Sequence, residues 1–315
     1  MSASATSAPN STTPTEQLPS AVAGGKTTQL LILGILAAVG IALLFAPSFV
    51  RLAQIWTDDP DYSHGFLVIP ASLFFCGIAW QRLKAQGPIT FGGGGIALGV
   101  SEILLGVMLH WGAMLFDVLL VDVLALICVI RGTVSLIAGP QVNGAFAFPA
   151  LFLVFMAPLP PTVHGAIAIF MQQTVAIVST FVLDLFNVPV FREGYLIHLP
   201  GLGAPMEVGE ACSGIRSMIA ILALAVAIGF LANGSRFYCV TLTALALPIA
   251  GLANCIRVIL TGVILMTLGR EYAEGLAHAL EGMVIVALAA AILVAVAWGL
   301  GRIEGRMRAP RSSNA

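Results

Sequence analysis

Eight apolar runs, most of them near the length that crosses a bilayer, leave this chain few folds to adopt. They lie at 29–48, 66–81, 94–111, 113–130, 144–159, 214–231, 237–268 and 279–300. Roughly 20 apolar residues in helical form cross a hydrocarbon core. A helix is the expected form because it satisfies every backbone polar group within the segment. Composition closes the water-soluble alternative: 59% of the 315 residues are hydrophobic and only 9% are charged, where soluble domains carry about a quarter charged. The net charge of −1, from 14 basic and 15 acidic residues, provides no basic field for nucleic acid. The chain therefore reads as an all-α polytopic membrane protein of about eight transmembrane helices, with the lipid bilayer as its solvent.

A ninth apolar run, 162–186, is interrupted by His164, Gln172, Gln173, Ser179 and Asp184 and bounded by Pro160-Pro161 and Asn187-Val188-Pro189. It reads as an amphipathic or re-entrant helix on the outer side. Charge distribution favours this count. With eight spans, Lys26, Arg82, Lys84, Arg131, Arg236, Arg302, Arg306, Arg308 and Arg311 share one side, and Arg51, Arg192, Arg216, Arg257 and Arg270 the other. Nine basic residues against five place both termini in the cytoplasm by the positive-inside rule. Residues 1–28, rich in Ala, Ser, Thr and Pro, read as a disordered cytoplasmic tail, with too little apolar surface to fold. They make a poor signal peptide, being nearly uncharged and followed by a run long enough to span. Residues 29–300 form the membrane domain, and 301–315 a basic cytoplasmic tail. Between 188 and 209, short β-prone pieces broken by Gly194 and Pro200-Gly201 predict an extracytoplasmic β-meander leading into the next helix.

Chemistry concentrates where that meander ends. In Glu210-Ala211-Cys212-Ser213-Gly214-Ile215-Arg216-Ser217 a cysteine stands at the junction of a polar loop and an apolar helix. First-turn amides favour negative charge there, which lowers a thiol's pKa toward the nucleophilic thiolate and suits an oxyanion. A boundary cysteine also has a plain reading as a small apolar residue, and Cys76, Cys128 and Cys239, inside apolar runs, carry only that one. Asn254 and Arg257, spaced i, i+3, share a helix face. An arginine at a bilayer span is either a functional group or a snorkelling anchor. His278 shares a face with Glu274 and Glu281, where a carboxylate can raise the ring's basicity or the ring can simply bond its neighbours. One imidazole and two carboxylates are a thin donor set, so no metal and no cofactor is expected. A thiol, an imidazole and a guanidinium on one side of the membrane suit acyl transfer. Asp58-Asp59-Pro60-Asp61-Tyr62-Ser63-His64-Gly65 precedes the second span as a loop. Asp117, Asp122 and Glu102 within spans would instead serve a proton-coupled transporter, the alternative from a different class.

At these residues the chain resembles the exosortase/archaeosortase family, and within it the bacterial exosortases. The matching pieces are Tyr62-Ser63-His64-Gly65-Phe66-Leu67, then Phe148-Pro149 through Phe155-Met156-Ala157-Pro158-Leu159-Pro160, then Glu210 to Ser217, Asn254 to Arg257, and His278. They occur in the family's order over about residues 30–300, and the Ala-Cys-Ser-Gly-Ile-Arg block is the most specific. The resemblance implies an eight-span inner-membrane cysteine transpeptidase with its active site facing the periplasm. Its partners would be exported proteins with a C-terminal Pro-Glu-Pro segment, a transmembrane helix and a basic tail. It implies Cys212 as nucleophile, forming a thioacyl-enzyme, with Arg257 and His278 completing the catalytic set. Glu210, Ser213, Arg216, Asn254, His64 and Arg192 stand as supporting or substrate-binding positions.

Overall fold

The computed structural model describes residues 21–89, 91, 94–199, 206–207, 214–269 and 276–308, without the side chains of 21–27, 207, 276–279, 281 and 306–308. Its helices in chain order are α1 (Ala21–Leu44), α2 (Ala46–Asp58), α3 (Gly65–Ala85), α4 (Ile96–Phe116), α5 (Leu119–Ala138), α6 (Pro140–Ala145), α7 (Ala147–Phe152), α8 (Pro161–Leu185), α9 (Ile215–Leu231), α10 (Arg236–Thr267) and α11 (Leu276–Arg308). Two 3₁₀ turns, Pro60–Tyr62 and Leu153–Met156, complete the helical part. Among the described residues, six helices are long and apolar enough to cross a membrane: α3, α4, α5, α8, α10 and α11. The pair α1–α2, bent by 64°, makes a seventh if counted as one span. The chain is thus a multi-pass helical membrane protein. Helix α1 begins at Ala21, inside the stretch read as a tail, and α11 runs on to Arg308.

The expected β-meander is present among the described residues. Strands β1 (Phe191–Glu193), β2 (Leu196–His198) and β3 (Met206–Glu207) pair antiparallel in the order β1-β2-β3. Arg192 and Ile197 face one another across the first pair, Ile197 and Met206 across the second.

Helices α4 and α5 form the tightest pair, because small residues let their backbones meet. A Cβ added to Gly132 would lie 2.7 Å from the Gly99 carbonyl oxygen, and one on Gly106 would lie 2.6 Å from Val129 Cγ2. The turn between them falls at Asp117, in the left-handed region at φ 54°, and not at 112–113 where the apolar runs divide. That shift carries Arg131 into the body of α5, where it pairs with Glu102 of α4 at 3.0 Å, so it is not a flanking loop charge.

Helix α8 covers the run expected to form an amphipathic or re-entrant outer helix. It is continuous over 25 residues and is apolar enough to span. Its buried positions, Ala168, Gln172, Val175, Ala176, Ser179 and Leu183, form one stripe, while Ile169, Phe170, Ile177, Phe181 and Leu185 are exposed. Two of its polar residues, Gln172 and Ser179, are turned into the bundle, and the exposed face is mostly apolar.

Among the described residues, three buried clusters organise the bundle. One joins α2, α3, α5 and the broken segment α7–Met156 around Phe45, Trp56, Phe75 and Phe152. A second joins α9, the first half of α10 and α11 around Ile221, Leu242 and Leu293. A third sets α8 and the sheet against the second half of α10, around Val175, Ile197 and Val258. At 32 residues and 1.5 Å rise each, α10 is about 48 Å long. It therefore serves two cores stacked along its axis.

Candidate functional site

The two ends of the bundle differ in chemistry. At the basic end, Arg82 at the close of α3 donates to the carbonyls of Phe230 and Leu231 at 2.8 and 2.9 Å, satisfying the last turn of α9. Cations there also suit the negative end of a helix dipole. At the acidic end, the turn Asp58–Gly65 meets the start of α8, the start of α9 and the end of the α7 segment. Asp61 lies 3.4 Å from the Arg216 guanidinium in the first turn of α9 and 3.6 Å from His164 Nε2 in α8. The second distance is too long for a hydrogen bond.

Gly214 caps α9 at φ 75° and touches Asn254: a Cβ there would lie 2.7 Å from both Asn254 Cγ and Nδ2. Both reasons demand glycine, since the left-handed conformation strains a side chain and none would fit. Asn254 is buried in α10. One turn on, Arg257 lies against α11, where a Cβ at Gly282 would stand 3.7 Å from its Cζ. Position 278 is four residues before Gly282 on the same helix, hence on the same face. The start of α9, Asn254, Arg257 and the first turns of α11 are thereby brought together. Cys212, Glu210 and Ser213 lie outside the described residues, as does the side chain of His278.

Of the other positions, Arg192 stands apart, and His64 lies at the group's edge near Arg216. Arg192 is exposed in β1 and donates to the Gly194 carbonyl at 2.7 Å across its own turn. His64 faces the end of the α7 segment, its Nε2 3.0 Å from the Phe155 carbonyl oxygen. Cys255, beside Asn254 in sequence, is buried in the third core. The carboxylates of the transporter alternative are each held by a partner. Asp117 pairs with Arg51 at 2.6 Å at the surface. Asp122 accepts from Ser48 and lies 2.5 Å from His110 Nδ1. Glu102 pairs with Arg131 and accepts from Asn143 at 3.2 Å.

Sequence reasoning missed His110, Ser48, Trp56 and Ser72. The one available signal was their type: a polar side chain inside or beside an apolar run needs a partner. At the acidic end a cleft of about 840 Å³ opens beside Asp61, lined by Arg51, Asp58, Tyr62, Asp117, Leu159 and His164 among others.

Neither a curated protein nor a solved structure matches the chain. A protein-family model, that of the transmembrane exosortase, matches residues 56–295, about three quarters of the chain. The match begins at Trp56, just before the Asp58–Gly65 turn, and ends inside α11, so it takes in every element that meets at the acidic end. By that match the chain belongs to the transmembrane exosortase family.

Proposed function

We propose that this protein is a membrane-embedded cysteine transpeptidase that cleaves exported proteins at a C-terminal Pro-Glu-Pro type sorting signal. Cys212 attacks the scissile carbonyl and forms a thioacyl-enzyme. Arg257 stabilises the oxyanion. His278 takes the thiol proton and returns it to the leaving amine. The acyl group then passes to an acceptor nucleophile or to water. The observation that carries the reading is the convergence at the acidic end. Gly214, two residues after Cys212, rests on Asn254, and Arg257 rests on Gly282, one turn from position 278.

Orientation follows from charge. Arg82, Lys84, Arg236 and Arg302 cluster at one end, where Lys84 sits over Trp80 and Arg302 over Trp298. An excess of basic residues marks the cytoplasmic boundary. With Arg131 inside α5, the split of basic residues expected from the sequence becomes eight against five. The acidic end, and with it the site, then faces the periplasm of a bacterial inner membrane, with both termini cytoplasmic.

Eight crossings fit this orientation: α1, α3, α4, α5, the broken segment 140–156, α9, α10 and α11. Helix α8 then lies in the outer leaflet, because it starts beside Asp61 and its end packs on the outer half of α10. A client would arrive by lateral diffusion, its apolar helix in the bilayer and its basic tail held inside.

The test is processing of a synthetic client carrying a Pro-Glu-Pro segment, an apolar helix of about 20 residues and a basic tail. Cys212→Ala and Cys212→Ser should both abolish it while the protein inserts normally, and Cys255→Ser should process as wild type. Loss in Cys255→Ser with normal turnover by Cys212→Ser would show that the nucleophile is wrongly assigned.

A further inference from the structure

Two blocks of sequence about ninety residues apart, Tyr62-Ser63-His64-Gly65 and Phe148 to Pro160, meet through a set of hydrogen bonds that the transpeptidation chemistry does not use. The segment after α6 cannot form a single helix. Pro149 interrupts it, the turn Leu153–Met156 is 3₁₀, and Ala157 and Pro160 are extended at ψ 134° and 138°. Broken backbone at membrane depth leaves carbonyls and amides without helical partners, and each must find another. Here side chains of α2, α3 and the intervening turn supply them. Ser72 Oγ donates to the Pro149 carbonyl at 2.8 Å, and Trp56 Nε1 to the Met156 carbonyl at 2.9 Å. His64 Nε2 bonds the Phe155 carbonyl at 3.0 Å, and the Tyr62 hydroxyl accepts from the Leu159 amide at 3.2 Å. Tyr62, Trp56 and Ser72 are all buried.

Gly65 belongs to the same device. A Cβ there would lie 2.2 Å from Trp56 Nε1, the atom that bonds Met156. The held segment ends in Pro158, Leu159, Pro160 and Pro161, which form one side of the 840 Å³ cleft. Asp61, in the same turn as Tyr62, reaches Arg216 in the first turn of α9. One turn therefore fixes both the cleft and the helix that follows Cys212.

Resting on the transpeptidase reading, we infer that Trp56, Tyr62, His64 and Ser72 are positioning residues: they clasp the 149–159 backbone and hold 157–161 as the ledge against which the client's extended segment lies. His64 acts by donating Nε2–H to Phe155, not by moving a proton in the reaction.

Within 157–161 only Ala157 and Leu159 carry amide hydrogens, since the other three residues are prolines. The Ala157 amide bonds the Val154 carbonyl at 3.1 Å. Hydrogen exchange by mass spectrometry on the full chain in lipid nanodiscs can therefore read the Tyr62–Leu159 bond alone. In Tyr62→Phe, Leu159 should exchange about tenfold faster or more, as expected for a lost hydrogen bond, with Ala157 unchanged. With the synthetic client, Tyr62→Phe and His64→Ala should raise KM by about tenfold, with kcat within about twofold. His64→Gln, which keeps a donor at the same reach, should restore KM, and its pH–rate profile should match wild type.

Unchanged exchange at Leu159 in Tyr62→Phe would overturn the clasp. So would His64→Gln being as impaired as His64→Ala with an altered pH profile, which would make the imidazole a proton-transfer group. If the client is processed equally well by Cys212→Ala, the transpeptidase reading fails, and the exchange arm then decides the clasp by itself.

Discussion

At Gly214 two requirements fall on one residue, and either would exclude a side chain. The backbone stands at φ 75°, and Asn254 occupies the space a Cβ would need. Gly214→Ala is expected to lower the thermal midpoint of the purified protein in detergent, at a cost of about 1–3 kcal/mol, and to abolish client processing. Full activity with an unchanged midpoint would remove the α9 cap from the account. Arg257 is a different test. If it binds an oxyanion through a planar fork, Arg257→Lys should lose nearly as much kcat as Arg257→Ala, about a hundredfold or more. If it is a boundary anchor, the lysine snorkels equally well and kcat survives. Single-turnover processing of the synthetic client distinguishes the two.

Among helices, the α4–α5 pair is where charge and packing meet. Glu102 and Arg131 are mostly shielded, and Asn143 of α6 donates to the same carboxylate. Removing one partner strands a charge in the bilayer. Glu102→Ala should therefore destabilise by about 3 kcal/mol, and the double substitution Glu102→Ala with Arg131→Met should recover most of it. Denaturation in mixed micelles measures both, and client processing by the double variant separates this structural role from proton coupling. A transporter would lose its function in both variants.

What was legible in the sequence divides along the same line. Apolar runs matched α3, α8, α9 and α10 to within about four residues, and Gly194 and the β-prone pieces around it announced the meander. The α4–α5 turn was misplaced because the hydropathy break falls at 112, whereas the backbone break falls at Asp117, whose left-handed conformation leaves no hydropathy signal. For α8 the count of polar residues was right, but their direction was not readable: Gln172 and Ser179 face a partner helix that sequence spacing cannot reveal. Of the site, Asn254 and Arg257 were legible as polar residues on one face of an apolar helix. The clasp was not, since nothing local in Tyr62 or His64 announces a carbonyl about ninety residues away.

The molecule as a whole is a bundle with an outer layer. α9, the first half of α10 and α11 form one core. The second half of α10 continues past it to carry α8 and the sheet. Where the α9–α10–α11 core gives way to the one around α8 and the sheet stand Asn254 and Arg257, at the boundary that the proposed client would reach with its extended segment. On the proposed reading Cys212 is the nucleophile and stands on the periplasmic face, and the whole account depends on it. The direct measurement uses a variant in which Cys212 is the only cysteine, with Cys76, Cys128, Cys239 and Cys255 replaced by serine or alanine. A membrane-impermeant maleimide is added to spheroplasts, and labelling of position 212 and processing of the client are followed together. The account predicts that Cys212 labels without permeabilisation and that processing falls in proportion to labelling. Labelling only after the inner membrane is opened, or processing that continues with Cys212 fully alkylated, would contradict it.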